Sequence, residues 1–222
     1  MLRLNRSSAW LEALRVFPQY HQQGLGRLIA IFMIEVARKA GYQDLLFSTY
    51  FDNIGSIRIN EALGFTKIAT FTTLNLLIKD LSTIPAVTAD HPDLSITDEV
   101  CRPDQITWNG WQFVLPNTDN LERFFPGVET ITTNDSVMMI ANNTKSPGQE
   151  LEICWLEGPA AAGAGLCLEY AIAECHRRAI PRLHLMLPEA IPHEPFLRAG
   201  FTIYEQPKDV FVYRGTIEQL EC

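Results

Sequence analysis

The sequence predicts a protein of the α/β class, and three observations predict it. Short apolar runs of strand length alternate with longer segments whose apolar residues recur at helical spacing. A glycine loop joins a predicted strand to the clearest helix, between Val16 and Gly26. The order strand, glycine loop, helix, strand, Gly-Phe, strand occurs twice, from Trp10 to Phe71 and from Leu151 to Tyr213, so a duplicated architecture is expected.

Residues Trp10 to Phe17 read as a strand with Leu14 and Val16 on one face, and Pro18 to Gly24 as a loop. Leu25, Leu28, Ile29, Phe32, Met33, Val36, Ala37 and Ala40 then repeat at alternating steps of three and one, the period of one helical face. Arg38 and Lys39 fall in the last turn, where they complement the helix dipole, and Gly41 ends the helix. Leu45 to Thr49 has strand length. Asp52 or Asn53 can cap a second helix that runs to Leu63 and stops at Gly64. Phe65 to Leu77, rich in Thr, Phe and Ile, reads as one or two strands.

Residues 81–93 show little periodicity and are expected to form a linker. Beyond it, Trp108 to Leu115, Val137 to Ala141 and Leu151 to Leu156 read as strands, and Leu121 to Phe125 as a helical turn. The Gly/Ala-rich stretch Gly158 to Gly165 opens a helix whose buried face is expected to be Leu168, Ala171, Ile172, Cys175 and Ala179. A strand Leu183 to Leu187, a proline-rich loop, Gly200-Phe201 and a last strand around Phe211 to Tyr213 complete the chain.

Composition narrows the function classes. The net charge is -8 and no basic face is in evidence, which argues against nucleic acid as a partner. No apolar run reaches the roughly 18 residues of a membrane span, so no membrane association is expected. Arg3 and Arg6 precede no apolar stretch of the kind a signal peptide needs. The five cysteines, Cys101, Cys154, Cys167, Cys175 and Cys222, are odd in number and contain no CxxC pair. Reduced thiols in a cytoplasmic protein without a metal site are therefore expected. No GxSxG, HExxH or Walker pattern is present.

The chemistry sits in Val16-Phe17-Pro18-Gln19-Tyr20-His21-Gln22-Gln23-Gly24-Leu25-Gly26. A strand that ends in glycines at a helix start makes an anion site. The first helical N–H groups are unpaired, the helix dipole is positive there, and glycines let a diphosphate approach. With Asn53 standing twelve residues before the Phe65 of Leu-Gly-Phe, the stretch resembles the acetyl-CoA loop and following motif of the GNAT acetyltransferases, over about residues 10 to 78. That resemblance implies the GNAT acyl-CoA N-acyltransferase fold, a mixed central sheet flanked by helices, here duplicated. It implies acetyl-CoA as cosubstrate, held by Leu14, Val16, His21, Gln22, Gln23, Gly24, Leu25, Gly26, Arg27, Asn53, Ser56 and Asn60. The amides near Gln22 to Gly26 would hold the pyrophosphate, Val16 the pantetheine arm through its backbone, and Asn53 the arm from the neighbouring strand end.

Two residues depart from the family pattern. His21 replaces the usual Arg or Gln of the loop and lacks a permanent charge. Asn60 stands where the commoner pattern has the Tyr that protonates the departing thiolate, and an asparagine gives up no proton; water or Tyr50 would have to replace it. As general base the expected residue is Glu12, placed by strand alternation on the face of Leu14 and Val16. His21 is the weaker candidate. His91, His176, His184 and His193 are scattered and read as structural or solvated.

A complete domain of this family has a first strand, two helices and a hairpin before the loop strand, yet nine residues precede Trp10. Residues 1–80 are therefore expected to be the C-terminal half of such a domain, N-terminally truncated or completed by strands from the second domain or another chain. Residues 94–222 are expected to form a degenerate copy that does not bind acetyl-CoA. Pro159 removes a donor, Glu157 adds a negative charge near the loop, and Glu189 replaces the motif asparagine. Pro192 and Pro195 shorten the helix ahead of Phe201. The expected activity is N-acetylation of a primary amine on a small molecule or amino acid; the second half faintly resembles the histidine N-acetyltransferase-like group. The competing reading is a non-catalytic acetyl-CoA-binding or dimerisation module, and a homodimer is allowed by either.

Overall fold

The computed structural model describes residues 1–12, 14–79, 106–114, 125, 127–132, 137–157 and 163–221. The expected linker 81–93, Cys101, Cys222, His91, Pro159 and all but the last residue of the expected turn at 121–125 lie outside them. Along the chain run β1 (Leu2–Arg3), β2 (Ser8–Trp10), a 3₁₀ turn (Pro18–Tyr20), α1 (Leu25–Lys39), β3 (Asp44–Tyr50), α2 (Ile54–Ala62) and β4 (Thr66–Leu77). Then come β5 (Thr107–Asn109), β6 (Gln112–Val114), β7 (Glu129–Thr132), β8 (Val137–Asn142), β9 (Glu150–Glu157), α3 (Gly163–Arg178), β10 (Arg182–Pro188), α4 (Glu194–Arg198), β11 (Thr202–Ile203) and β12 (Val210–Thr216).

The chain forms two compact units, divided differently from the sequence expectation. One is Met1–Thr70 together with Lys208–Cys222, and the other is Phe71–Pro207. The first boundary falls inside β4, and the last strand belongs to the first unit.

In the first unit the sheet order is β1-β2-β3-β12-β4. β2 lies parallel to β3, with α1 as the crossover, and β12 lies antiparallel to β3 from Tyr50↔Val210 to Asp44↔Thr216. Its core gathers Ala9, Leu11, Ala30, Ile34, Ala37, Leu45, Phe47, Leu63, Phe65, Tyr213, Ile217 and Leu220. Phe47 stacks on Tyr213 with ring centroids 5.1 Å apart and meets the edge of Phe65 at 5.3 Å. The buried Tyr213 hydroxyl donates to Glu61 Oε1 at 2.9 Å, and burial, helped by that carboxylate, pushes its pKa up to about 12.

Helix α1 turns a different face inward from the one its period suggested. Ala30, Ile34 and Ala37 are buried, whereas Leu28 and Phe32 are 59% and 64% exposed and Ala40 is also exposed. The run Leu28-Ile29-Ala30-Ile31-Phe32-Met33-Ile34 is apolar on every side, so periodicity alone does not choose a stripe. At the helix end Arg38 pairs with Glu35 and donates to the carbonyls of Ile217 and Leu220 at 3.2 and 3.4 Å, so it fastens the C-terminal segment as well as meeting the dipole.

In the second unit the order is β4-β10-β9-β8-β7, with β11 also on β4. β10 and β9 are parallel, with α3 as crossover, so each unit contains one parallel strand–helix–strand turn. The expected strand Trp108 to Leu115 is instead the hairpin β5–β6. Gly110 and Trp111 at its turn have φ of +55° and +75°, the left-handed pair of a two-residue hairpin turn; glycine suits the first position, whereas Trp111 takes the second against its ordinary preference. Leu168, Ala171 and Cys175 of α3 are buried as expected, while Ala179 is exposed at φ +54° just past the helix. Arg178 joins Glu174 on α3 to Glu129 on β7 and donates to Asn142 Oδ1 on β8 at 3.1 Å. Glu152 on β9 is fully buried and accepts from His184 Nδ1 and Asn143 Nδ2, each at 2.8 Å. Among the described residues no helix is long and apolar enough to cross a membrane.

Candidate functional site

β2 is paired with β3 only as far as Trp10↔Leu46, and the Leu11 N–H then donates to the Leu46 carbonyl at 2.8 Å. From there the two segments diverge: β3 runs on to Tyr50, but Leu14 to Phe17 belong to no strand. The strand expected through Phe17 therefore ends at Trp10. Glu12 and Leu14 to Phe17 lie in no ladder, so pairing with β3 does not fix the face on which Glu12 lies. Glu12 is exposed.

A cavity of about 470 Å³ lies between this diverging segment, the start of α1 and one face of α2. Of the residues expected to hold a cofactor, Leu14, Val16, His21, Gln22, Gly24, Leu25, Gly26, Arg27, Asn53, Ser56 and Asn60 line it. Gln23 does not; its side chain donates to the Gln19 carbonyl at 3.3 Å instead. Neither Glu12 nor Tyr50 is on the wall. Tyr20, Ile29, Ala30, Gly55 and Ile59 also line the cavity and were not foreseen. Helical spacing carries the signal for four of them. Ile29 and Ala30 lie one turn beyond Gly26, and Gly55 and Ile59 share the face of Ser56 and Asn60.

At the helix end of the cavity the backbone is arranged for an anion. Gln22 and Gly24 take left-handed φ values of +61° and +75°. The first backbone bond into α1 is Leu28 N–H to the Gly24 carbonyl, 3.1 Å, so the N–H groups of Leu25, Gly26 and Arg27 precede the helical ladder. Gly24 supplies no side-chain cap and the first turn holds no acidic residue. Arg27 is the only fully charged side chain among the described residues of the wall, and no carboxylate lines it.

The two glycines serve different ends. A Cβ on Gly24 would meet nothing within 4 Å, so its requirement is the positive φ. A Cβ on Gly26 would lie 3.2 Å from Ile59 Cδ1, so here the missing side chain also lets α1 approach α2. His21 Nε2–H donates to the Val16 carbonyl at 2.9 Å, closing the loop on its own start.

On α2, Asn53 is the N-cap, its side chain accepting from the Ser56 N–H at 3.4 Å. Asn60, one helical face further on and 8% exposed, donates its Nδ2 to the Ser56 carbonyl at 2.8 Å and to Ser56 Oγ at 3.3 Å. Among the described residues no group of His, Cys, Asp and Glu is placed to hold a metal.

Residues 2–65 match the model of the acetyltransferase (GNAT) family. No curated protein matches the chain. Its fold is that of several solved structures. A protein from Thermoplasma acidophilum, described provisionally as an acetyltransferase, is 16% identical, with 96% of this chain and 71% of that one covered and a TM-score of 0.59. A tandem GNAT protein from the clavulanic acid biosynthesis pathway is 16% identical, with 95% and 75% covered and a TM-score of 0.55. A GCN5-related N-acetyltransferase from Sphaerobacter thermophilus is 11% identical, with 91% and 71% covered and a TM-score of 0.56. At these identities the likeness is one of fold: a mixed α/β architecture in which helices flank the sheet.

Proposed function

We propose that the chain is a GNAT-family N-acetyltransferase that moves the acetyl group of acetyl-CoA to a primary amine of a small molecule or amino acid, and that its first unit holds the cosubstrate. The observation that carries this reading is the start of α1, where amides outside the helical ladder and without a side-chain cap line a cavity that also takes in Val16, Asn53 and Asn60. A diphosphate suits those amides and Arg27. An extended pantetheine arm suits the gap where β2 leaves β3, since it can accept backbone hydrogen bonds as a strand does. The family match over residues 2–65 supports the same assignment.

In the reaction the amine nitrogen bonds to the thioester carbonyl carbon, the carbon–sulfur bond breaks, and the proton that the nitrogen loses ends on sulfur. Glu12, two residues before Leu14, is proposed as the base that keeps the amine neutral. Among the described residues no carboxylate lines the cavity to compete for that role. The alternative is a module that binds acetyl-CoA without turnover, which Asn60, a side chain with no proton to give, also suits. The second unit is proposed to be a degenerate copy without a cofactor of its own, and the buried, reduced thiols of Cys154, Cys167 and Cys175 suit a cytoplasmic protein.

Calorimetry should find one acetyl-CoA per chain, lost in Gly24→Val. Two sites, or one that survives Gly24→Val, would reject the placement. A thiol-release assay over a panel of amines then separates transferase from binding module: release that depends on an amine supports transfer, and none with any amine supports the module.

A further inference from the structure

The second unit has a cavity of its own, about 490 Å³, between the end of β4, the last turns of α3 and the start of β11. Its described lining falls wholly within Phe71–Pro207. The register of β4 shows what the cavity interrupts. On the β10 side the Ile78 N–H donates to the Pro181 carbonyl at 2.9 Å, and on the β11 side the Thr73 carbonyl accepts from the Tyr204 N–H at 2.9 Å. Alternate residues of an antiparallel strand bond to opposite neighbours, so Thr73, Asn75 and Leu77 all turn their backbone groups toward β11. The ladder there begins only at Thr202↔Asn75. Gly200, which would continue it opposite Leu77, closes α4 instead, at φ +97° and with its N–H on the Leu197 carbonyl at 3.0 Å. The N–H and carbonyl of Leu77 therefore stand at an open strand edge in the cavity wall.

Two side chains complete that edge. Lys79 lies two residues further on, about 7 Å along the strand. His176 on α3 buries its Nδ1 without a hydrogen-bond partner among the described residues. A bare lone pair is less costly to bury than an unpaired N–H, so the ring proton belongs on Nε2, which makes that nitrogen a donor. Leu76, Ile172 and Ala199 supply apolar wall, and among the described residues no carboxylate lines the cavity, in a chain of net charge -8.

We propose that this cavity binds an amino-acid residue with a free carboxylate, seated where a strand residue would pair with Leu77. The nitrogen of the ligand donates to the Leu77 carbonyl, and its carboxylate accepts from the Leu77 N–H as a strand carbonyl does. The anionic charge meets Lys79 and the Nε2–H of His176, and an apolar side chain covers Leu76 and Ile172. The proposal is independent of the acetyl-CoA site in the first unit. The same chemistry is offered by a free amino acid and by an N-acylated one, and the two are separated by the probes.

The test is calorimetry on the full chain with leucine, N-acetyl-leucine, leucinamide, which lacks the carboxylate, and 4-methylpentanoate, which lacks the nitrogen. Leucine or N-acetyl-leucine should bind, and the tighter of the two identifies the form of the ligand. Leucinamide and 4-methylpentanoate should each bind more weakly by about threefold to tenfold or more, the loss of one hydrogen-bonded group. Lys79→Glu, at an exposed position, should leave the thermal melt unchanged and weaken binding by about tenfold, the more so at low salt. His176→Leu should weaken it by about threefold to tenfold, and His176→Gln, which keeps an N–H, should restore part of the loss. Absence of binding by both leucine and N-acetyl-leucine at millimolar concentration, or binding that Lys79→Glu leaves unchanged, would overturn the proposal. Binding lost in Gly24→Val but kept in Lys79→Glu would also overturn it, by placing the ligand in the first unit.

Discussion

The Cβ that Gly26 lacks would sit 3.2 Å from Ile59 Cδ1, which makes this glycine a packing residue between α1 and α2. Gly26→Val should overpack that contact and destabilise the chain by about 1–3 kcal/mol. Adding Ile59→Ala should recover part of the loss in a thermal melt. Gly24→Ala acts differently: its Cβ meets no atom, and the strain at φ +75° should cost roughly 1–2 kcal/mol whatever is done to Ile59. A Gly26→Val chain that melts like its parent would show that the helices do not need this glycine.

Glu12→Gln should lower turnover by about 10²-fold and leave acetyl-CoA affinity nearly unchanged, the pattern of a base that acts on the amine. The acidic limb of the pH–rate profile should disappear in the variant. A profile identical to the parent's would assign the proton to another group or to solvent.

Because β12 lies between β3 and β4 in the first unit, residues 1–80 expressed alone lack an internal strand and should be unfolded or aggregated. In the full chain, Gly215→Ala tests the same strand. Its Cβ would come within 2.6 Å of Leu220 Cδ2 and 2.9 Å of the Phe65 ring, so the substitution should cost about 1–3 kcal/mol. A monomeric 1–80 fragment with a cooperative melt would mean that β12 is dispensable.

His184 should make stability depend on pH. Its burial works against the imidazolium, but the Glu152 carboxylate at 2.8 Å outweighs that and holds the pKa above the ordinary imidazole value. A folded-state pKa above the unfolded one means stability that is complete below the ordinary imidazole value and lost as pH rises through the folded value. Melting temperature should fall over that range in the parent. His184→Ala should move the pH dependence down toward the carboxylate range, because the Glu152 carboxyl, already held above its ordinary value by burial, rises further once the imidazole is gone. It should cost about 3–5 kcal/mol near neutral pH, where the buried charge has lost its cation. A parent melt that is flat across this range would place the proton elsewhere.

The features legible in the sequence are those whose cause is local. Asn53 caps α2 because its oxygen reaches an N–H three residues away, and Gly41 and Gly64 follow their helices with left-handed φ values of +80° and +95°. The glycine loop and the first turn of α1 are likewise one continuous stretch, which is why so many of the loop residues line one cavity. The tertiary structure decided what depends on partners distant in the chain. Nothing near Phe211 or Tyr213 says that this strand lies beside β3, more than 150 residues earlier, rather than in the second unit. Leu28 and Phe32 are as apolar as Ile34, and only the sheet beneath α1 selects the face with two alanines. The end of β2 at Trp10 is a non-local fact of the same kind. A strand persists only where a neighbour pairs with it, and among the described residues no ladder joins the chain beyond Leu11 to β3, so pairing no longer fixes the face on which Glu12 lies.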